Sequence, residues 1–456
     1  MATDLVATDH DLPQLVEDLL DRARKCGATE ADVLVGQGDT LSVQIRLSAV
    51  DRLTKAKEQR LGLRVFFGKR SAGASTSDFS RASLDRVVSD TCALAKAVAE
   101  DDVSGLPAAD LMAKDRPELG LFDSTVLETD VQIELARRAE AAAMGDDSRI
   151  TNSEGAEFNS LSGRVVFGNS HGFLGEFQSS SFSLSVSPIA TDPVSGVMQR
   201  DSWYAIQRQY AKLDAPESVG REAARRAVRR LGSRKIATRR APVVFDQETA
   251  GSLLANLNSA VSGYALYRGA SFLVGRLGDR VASEQVTVLD DGRIPGGLGS
   301  RPFDGEGLPT RRTTVVERGV LKSYLLDCYS GKKLGLASTG NASRGVGENP
   351  FVGPTNLYLV PGTLPPAEII QSVREGLYVT ELIGFGINMV TGDYSRGAAG
   401  FWIENGELAY PVEEITIAGN LKAMLSSIEM VGNDLEFRGR ITSPTIKISE
   451  MMIAGT

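Results

Sequence analysis

Histidine is almost missing from this 456-residue chain, which has only His10 and His171. Two residues so far apart form no local two-histidine metal motif, and that removes most hydrolytic metal chemistry from the chain itself. Cysteine is scarce as well. Cys26, Cys92 and Cys328 show no CxxC spacing, so neither a disulfide framework nor a zinc ribbon is indicated, and reduced thiols of the cytosolic kind fit best. No stretch approaches the roughly 20 apolar residues of a membrane span. The opening MATDLVATDHDLPQLVEDLL has acids where a secretory signal needs bases, so a cytoplasmic protein is expected. Excess positive charge is lacking too: a net charge of −8 and a pI near 5.2 work against direct binding to nucleic acid or anionic membranes.

What is present is the material of an ordinary globular protein. Hydrophobic residues make up 42% of the chain, enough for two or three compact cores at this length. The 47 glycines fall in short turn-like clusters without a period, which points to many strands and tight connections.

Apolar spacing predicts a helix over 11–26, closed by Gly27, then strands over 32–35, 41–47 and 62–67. Helices follow over 83–100 and 130–144, separated by a loop over 101–117, with strands again over 150–187. A helix beginning at 217 runs into a basic connector over 232–236, where the main domain boundary is expected. Beyond it the pattern predicts a strand over 241–245, helices over 247–261 and 366–375, and otherwise strands and turns. The expected fold is α+β: an N-terminal helix-covered antiparallel sheet domain over 1–236, divisible near 115/116, and a β-rich C-terminal domain over 237–456.

Several segments suggest chemistry and carry little of it. The arginines and lysine at 221, 225, 226, 229, 230, 234, 235, 239 and 240 form a basic stretch without an aromatic platform, and interleaved apolar residues favour a solvated helix face over a nucleic-acid patch. The run Ile294-Pro295-Gly296-Gly297-Leu298-Gly299-Ser300 lacks the helix a phosphate cradle needs and is expected to be a mobile glycine loop. Cys328 has no local base and is expected to be buried as a small apolar residue. Nothing local pairs His171 with a carboxylate.

The most informative segment is Pro242-Val243-Val244-Phe245-Asp246-Gln247-Glu248-Thr249-Ala250-Gly251-Ser252, a strand running directly into a helix. With Gly62-Leu63-Arg64-Val65-Phe66, Asn152-Ser153-Glu154-Gly155, Phe303-Asp304-Gly305-Glu306-Gly307, Ser338-Thr339-Gly340-Asn341-Ala342, Thr391-Gly392-Asp393-Tyr394-Ser395 and Met430-Val431-Gly432-Asn433-Asp434, it resembles the TldD/PmbA family along nearly the whole chain. In the TldD branch the strand–helix junction resembles His-Glu-x-x-x-His, with a later cysteine as third zinc ligand and the glutamate as general base. Here Gln247 and Ser252 stand at the histidine positions, Glu248 alone remains, and no cysteine follows Gly432. Amide and hydroxyl groups are poor zinc ligands beside imidazole.

That departure matches the PmbA branch, also called TldE. The resemblance therefore implies a chain without catalytic or metal-binding residues of its own, a non-catalytic subunit of a metallopeptidase. Its implied partner is a TldD-like subunit that carries the zinc, and its implied substrates are unfolded or extended peptides, such as precursors of peptide antibiotics and labile antitoxins. The family's older association with DNA gyrase reads as indirect, given the acidic charge. Ser338, Thr339, Gly340 and Asn341, with Gly392, Asp393 and Ser395, are candidate residues of a peptide groove working by strand addition. Two other readings stay open: a stand-alone, homodimeric peptide-binding or regulatory protein, and a zinc-independent enzyme using Glu248 as acid or base. The favoured reading of Glu248 is the plain one, a charge that caps or solvates its helix N-terminus.

Overall fold

The computed structural model describes residues 11–455, so His10 and the first half of the acidic opening lie outside the described residues. The chain begins with α1 (Leu12–Lys25), β1 (Glu30–Arg46), β2 (Ala49–Phe67), β3 (Arg70–Thr76) and α2 (Arg81–Ala97). It continues through α3 (Thr129–Asp146), β4 (Ile150–Asn169), β5 (Leu174–Thr191), β6 (Met198–Arg200), β7 (Trp203–Gln207) and α4 (Pro216–Val228). All these strands form one antiparallel sheet in the order β3-β2-β1-β4-β5-β6, with β7 also pairing with β5.

Alternation along the strands decides which face is which. On β1, Val33, Val35, Leu41, Val43 and Ile45 share one face, as period-two geometry requires. Val33 and Val35 pack with α1 and α2, whereas Leu41, Val43 and Ile45 pack with α3 and α4, so two helix pairs cover one face end to end. Leu34 points the other way. With Phe167 and Phe173 it meets Phe303, Leu308 and Cys328 of the second half, so the sheet is sandwiched between its helices and the rest of the chain.

The second half holds β8 (Arg239–Phe245), α5 (Gln247–Val261), α6 (Gly263–Tyr267), β9 (Val288–Asp291), β10 (Arg312–Glu317), β11 (Val320–Leu321) and α7 (Cys328–Leu334). Then come β12 (Ala342–Ser343), β13 (Phe351–Val352), β14 (Leu357–Leu359), α8 (Pro366–Gln371), β15 (Glu375–Ile387) and β16 (Asp393–Glu404). The chain finishes with β17 (Glu407–Asn420), α9 (Leu421–Ser426), β18 (Ile428–Val431), β19 (Ile441–Thr442) and β20 (Ile446–Ala454). Strands β17-β16-β15-β8-β20 close on themselves because β17 also pairs with β20, and β18 hangs on β20. Such closure removes the free edges of the five ring strands. A separate sheet, β11-β10-β9-β14-β19, packs on the same core through α5.

The fold is α+β as the patterning implies, with differences in detail. The expected strands 32–35 and 41–47 are one strand. Gly36 and Gly38 lie mid-strand in unbroken register with β2 and β4, because pairing on both sides outweighs the glycine penalty. The helix from 217 stops at Val228, and the helix placed over 366–375 stops at Gln371. Three short helices, α6, α7 and α9, sit where only strands and turns were expected; each spans no more than seven residues, too few for periodicity to register.

Two other expectations need correction. The basic stretch is a solvated helix face only in part: Arg221 and Arg225 are exposed on α4, whereas Arg226 and Arg230 reach Asp201, Arg230 also reaches Glu381 at 2.6 Å, and Arg229 lies over the Phe401 ring. Lys235 pairs with Glu414 of β17, so Arg230 and Lys235 fasten the segment after α4 to the closed sheet, while Arg239 and Arg240 of β8 pair with Glu375 and Glu450 within it. Nor is 294–300 a loose glycine loop. A Cβ on Gly299 would lie 1.9 Å from the Thr355 carbonyl oxygen, and Ser300 and Asn356 are buried against each other.

Candidate functional site

The strand–helix junction sits where β8 leaves the closed sheet. Asp246 is the N-cap of α5: its carboxylate accepts from the Thr249 backbone N–H at 2.9 Å and the Thr249 hydroxyl at 2.8 Å. The capping role considered for Glu248 therefore belongs to its neighbour.

Glu248, half-buried, points instead at β7 of the first half, where the Tyr204 hydroxyl donates to its carboxylate at 3.1 Å. Burial raises the Glu248 pKa against the opposing pull of Tyr204, Arg438 and Arg226. Burial also raises the Tyr204 pKa, helped by the adjacent carboxylate. The same cleft, of about 450 Å³, holds Trp203, with guanidinium groups over its ring from Arg226 at 4.9 Å and Arg438 at 4.2 Å.

Gln247 and Ser252 are both half-buried on the first two turns of α5. Five residues on a regular helix turn through about 500°, so the two side chains diverge by about 140°. Ser252 is already engaged: Arg396 of β16 donates to its hydroxyl at 2.6 Å. The segment following Gly432, from which the resemblance expects a third ligand, brings in Arg438, and Arg438 also bonds the Tyr204 carbonyl. These groups do not suit zinc. An amide, a guanidinium-bound hydroxyl and a carboxylate flanked by arginines offer neither imidazole nor thiolate, and their surroundings are already cationic. Among the described residues no group of three or more His, Cys, Asp and Glu side chains is arranged to hold a metal.

The proposed groove residues lie elsewhere. Asn341 is buried, with its amide on Asp290 at 2.6 Å, and Thr339 and Ser338 bond the Leu326 carbonyl. Gly340 turns this segment at φ +74° beneath the Pro309 carbonyl. Asp393 accepts from Thr391 and Asn420, next to Gly392 at φ +87°. Ser395 lies on β16, whose backbone pairs with β15 on one side and β17 on the other. The two strings are thus not brought together by any hydrogen bond described, and the second offers no open strand edge.

Cys328 is buried, and burial together with Glu306 pushes its thiol far above its ordinary value. His171 does find a carboxylate: its Nε2 lies 3.1 Å from Glu30, while Nδ1 meets the Pro107 carbonyl. Sequence patterning misses this pair because β1 and β4 meet only in the folded sheet.

Comparison with known proteins now bears on these observations. Models of the PmbA/TldA metallopeptidase match residues 31–95 as domain 1, 122–231 as the central domain and 238–455 as the C-terminal domain. This chain belongs to the PmbA/TldD family. It is 41% identical to a metalloprotease PmbA homolog of Haemophilus influenzae over 99% of this chain and 98% of that one. It is also 41% identical to metalloprotease PmbA of Escherichia coli O157:H7, over 93% and 92% of the two chains. A TldD homolog of Buchnera aphidicola matches over only 52% of each chain, at 30% identity. Among solved structures, a candidate modulator of DNA gyrase from Bacteroides thetaiotaomicron superposes with a TM-score of 0.90 at 29% identity, covering 97% and 98% of the two chains. TldE from Thermococcus kodakarensis shares the fold, with a TM-score of 0.84 at 21% identity over 96% and 99%. Among the described residues no helix is long and apolar enough to cross a membrane.

Proposed function

We propose that this PmbA/TldD-family chain is the metal-free subunit of a two-chain cytoplasmic metallopeptidase, and that a TldD-like partner holds the zinc that cleaves unfolded or extended peptides. The observation that carries the reading is at α5: Gln247 stands at one histidine position, Ser252 at the other is bonded to Arg396, and Glu248 is occupied by Tyr204. A general base needs an accessible carboxylate beside an electrophile or nucleophile. Glu248 faces a tyrosine and two arginines, a structural anchor between the halves. Full-length similarity to proteins named PmbA, and the fold shared with a protein named TldE, support assignment to the non-zinc branch.

The test is cleavage of an unfolded protein by this chain, by its TldD-like relative and by their 1:1 mixture, each with zinc and with a chelator. Chelator-sensitive cleavage that requires both chains is expected, with Glu248→Gln in this chain leaving the mixture within about twofold of wild type. Chelator-resistant cleavage by this chain alone, abolished by Glu248→Gln, overturns the reading in favour of a zinc-independent enzyme.

A further inference from the structure

Cys26 and Cys92 lie far apart in the sequence, and the fold brings them together. Cys26 is the C-cap of α1, one residue before Gly27 turns the chain at φ +89°. Cys92 lies within α2. Residues about four or seven apart on a helix share one face, so Asp85, Cys92 and Lys96 form a stripe along α2. The end of α1 lies against that stripe. Arg22, one turn before Cys26, reaches Asp85 with Nη1 at 2.8 Å, and the Lys96 ammonium donates to the Cys26 carbonyl at 3.4 Å. Along α2, Cys92 sits between those two contacts, buried with Ala23 and Ala95 in the core beneath both helices.

The two thiols act on each other and differ in access. Cys26 is exposed, Cys92 is buried, and both are free. Burial raises the Cys92 pKa to about 11, with a further rise from the Cys26 sulfur and an opposing pull from Lys96. The thiolate is the reactive form, so the buried sulfur is a poor first target for an oxidant, whereas the exposed one meets it. Conversion of Cys26 to a neutral sulfenic acid removes the charge set against Cys92 and leaves Lys96 acting on the remaining thiol. A disulfide also needs a particular geometry, with Cα atoms within about 7 Å and a dihedral near about 90°. The end of α1 supplies the adjustment, because a helix terminus opens at small cost while Cys92 is held by turns on both sides. Cys328, on α7 of the second half, packs with Phe303 and Leu308 and takes no part.

We infer that Cys26 and Cys92 are a modification site, a thiol pair that a peroxide converts to an intrachain disulfide fastening α1 to α2. The Cys26 thiolate attacks one peroxide oxygen, the O–O bond breaks, and the hydroxide that leaves takes up a proton as water. The Cys92 thiolate then attacks the sulfenic sulfur and expels its hydroxyl as a second water, forming the S–S bond. An electron pair passes from the two sulfurs to the peroxide, and the protons given up by the thiols end in the two waters. The bond closes a loop over residues 26–92, and a cross-link across a long loop stabilises the folded chain chiefly by constraining the unfolded one. A dithiol reductant reverses it by exchange. Neither a zinc-bearing partner nor the subunit reading enters this inference.

The experiment treats the reduced full chain with hydrogen peroxide, blocks the remaining thiols with a maleimide in urea, and maps the peptides by mass spectrometry before and after reduction. Two of the three thiols are expected to disappear, with the peptides carrying Cys26 and Cys92 linked, Cys328 still free, and both thiols restored by dithiothreitol. The linked chain is expected to unfold at a higher urea concentration than the reduced one. Two variants assign the order of events. With Cys92→Ala the reaction is expected to stop at the Cys26 sulfenic acid, captured by dimedone. With Cys26→Ser, an exposed change that spares the interior, no intrachain bond forms and Cys92 stays reduced. Retention of all three thiols by the wild-type chain overturns the inference. So does Cys26 linked to a second molecule or to Cys328, dimedone capture of Cys26 in the wild type equal to that in Cys92→Ala, or an unchanged urea midpoint in the linked chain.

Discussion

Asp32 shows how much one side chain can join. It is fully buried on β1, held by Arg64 of β2 through Nε at 3.0 Å and by Arg344 of the second half at 2.7 Å. Burial alone raises its pKa, but the two guanidiniums outweigh it and hold the carboxyl below its ordinary value of 3.8. A depressed folded pKa places the stabilising contribution above the unfolded value and removes it as pH falls through the lower, folded one. Asp32→Asn leaves two guanidiniums buried without their counterion, so a loss of about 3–5 kcal/mol is expected from urea midpoints at pH 7. That difference should shrink once the pH drops below the ordinary carboxylate range. At α5 the same logic runs in reverse. Placing imidazoles there by Gln247→His with Ser252→His is expected to give no zinc retention after dialysis, measured by elemental analysis, because Arg396 and Arg438 keep positive charge at the site. Stoichiometric zinc in that variant would show that ligand identity alone decides.

Between elements, the β1–β2 hairpin closes with two residues, Leu47 and Ser48, at φ +50° and +68°. Both occupy the left-handed region that a two-residue hairpin turn of this hand requires, which is costly for a leucine. What holds them is another element: the Glu140 carboxylate of α3, itself buried, accepts their backbone N–H groups at 2.9 and 2.8 Å. Leu47→Asn with Ser48→Gly keeps those amides and relieves the backbone, so a gain of about 1–2 kcal/mol is expected in chemical denaturation. A loss instead would mean that Leu47 contributes packing not evident from its 55% exposure.

At the scale of the whole molecule, the closed sheet depends on its last strand. β20 pairs with β8, β17 and β18, so ending the chain at Thr445 opens the ring and exposes the edges of β8 and β17 together. Such a truncated chain is expected to be insoluble or, by circular dichroism and tryptophan fluorescence, to have lost its C-terminal fold; native-like near-ultraviolet spectra would refute that dependence. The two halves meet through several devices, among them the Phe-rich cluster around Phe303, the Asp32–Arg344 pair, the Arg230–Glu381 pair and the Tyr204–Glu248 contact. None joins residues that are neighbours in sequence.

The sequence by itself determined the α+β class, the long helices α1, α3 and α5, the near-absence of histidine and cysteine and the family, because alternation, helical spacing and residue identity are local properties. It missed the short helices, ran the strand pair 32–35 and 41–47 as two, and took the arginines near 230 for a solvated face. Those outcomes depend on pairing and burial supplied by distant segments. Only the tertiary structure decided that Glu248 bonds Tyr204 rather than capping its helix, that His171 has Glu30, and that Asp32 is held by Arg344 from the second half. Pairs drawn from distant segments leave no spacing to read, since what places them together is the packing of the folded chain.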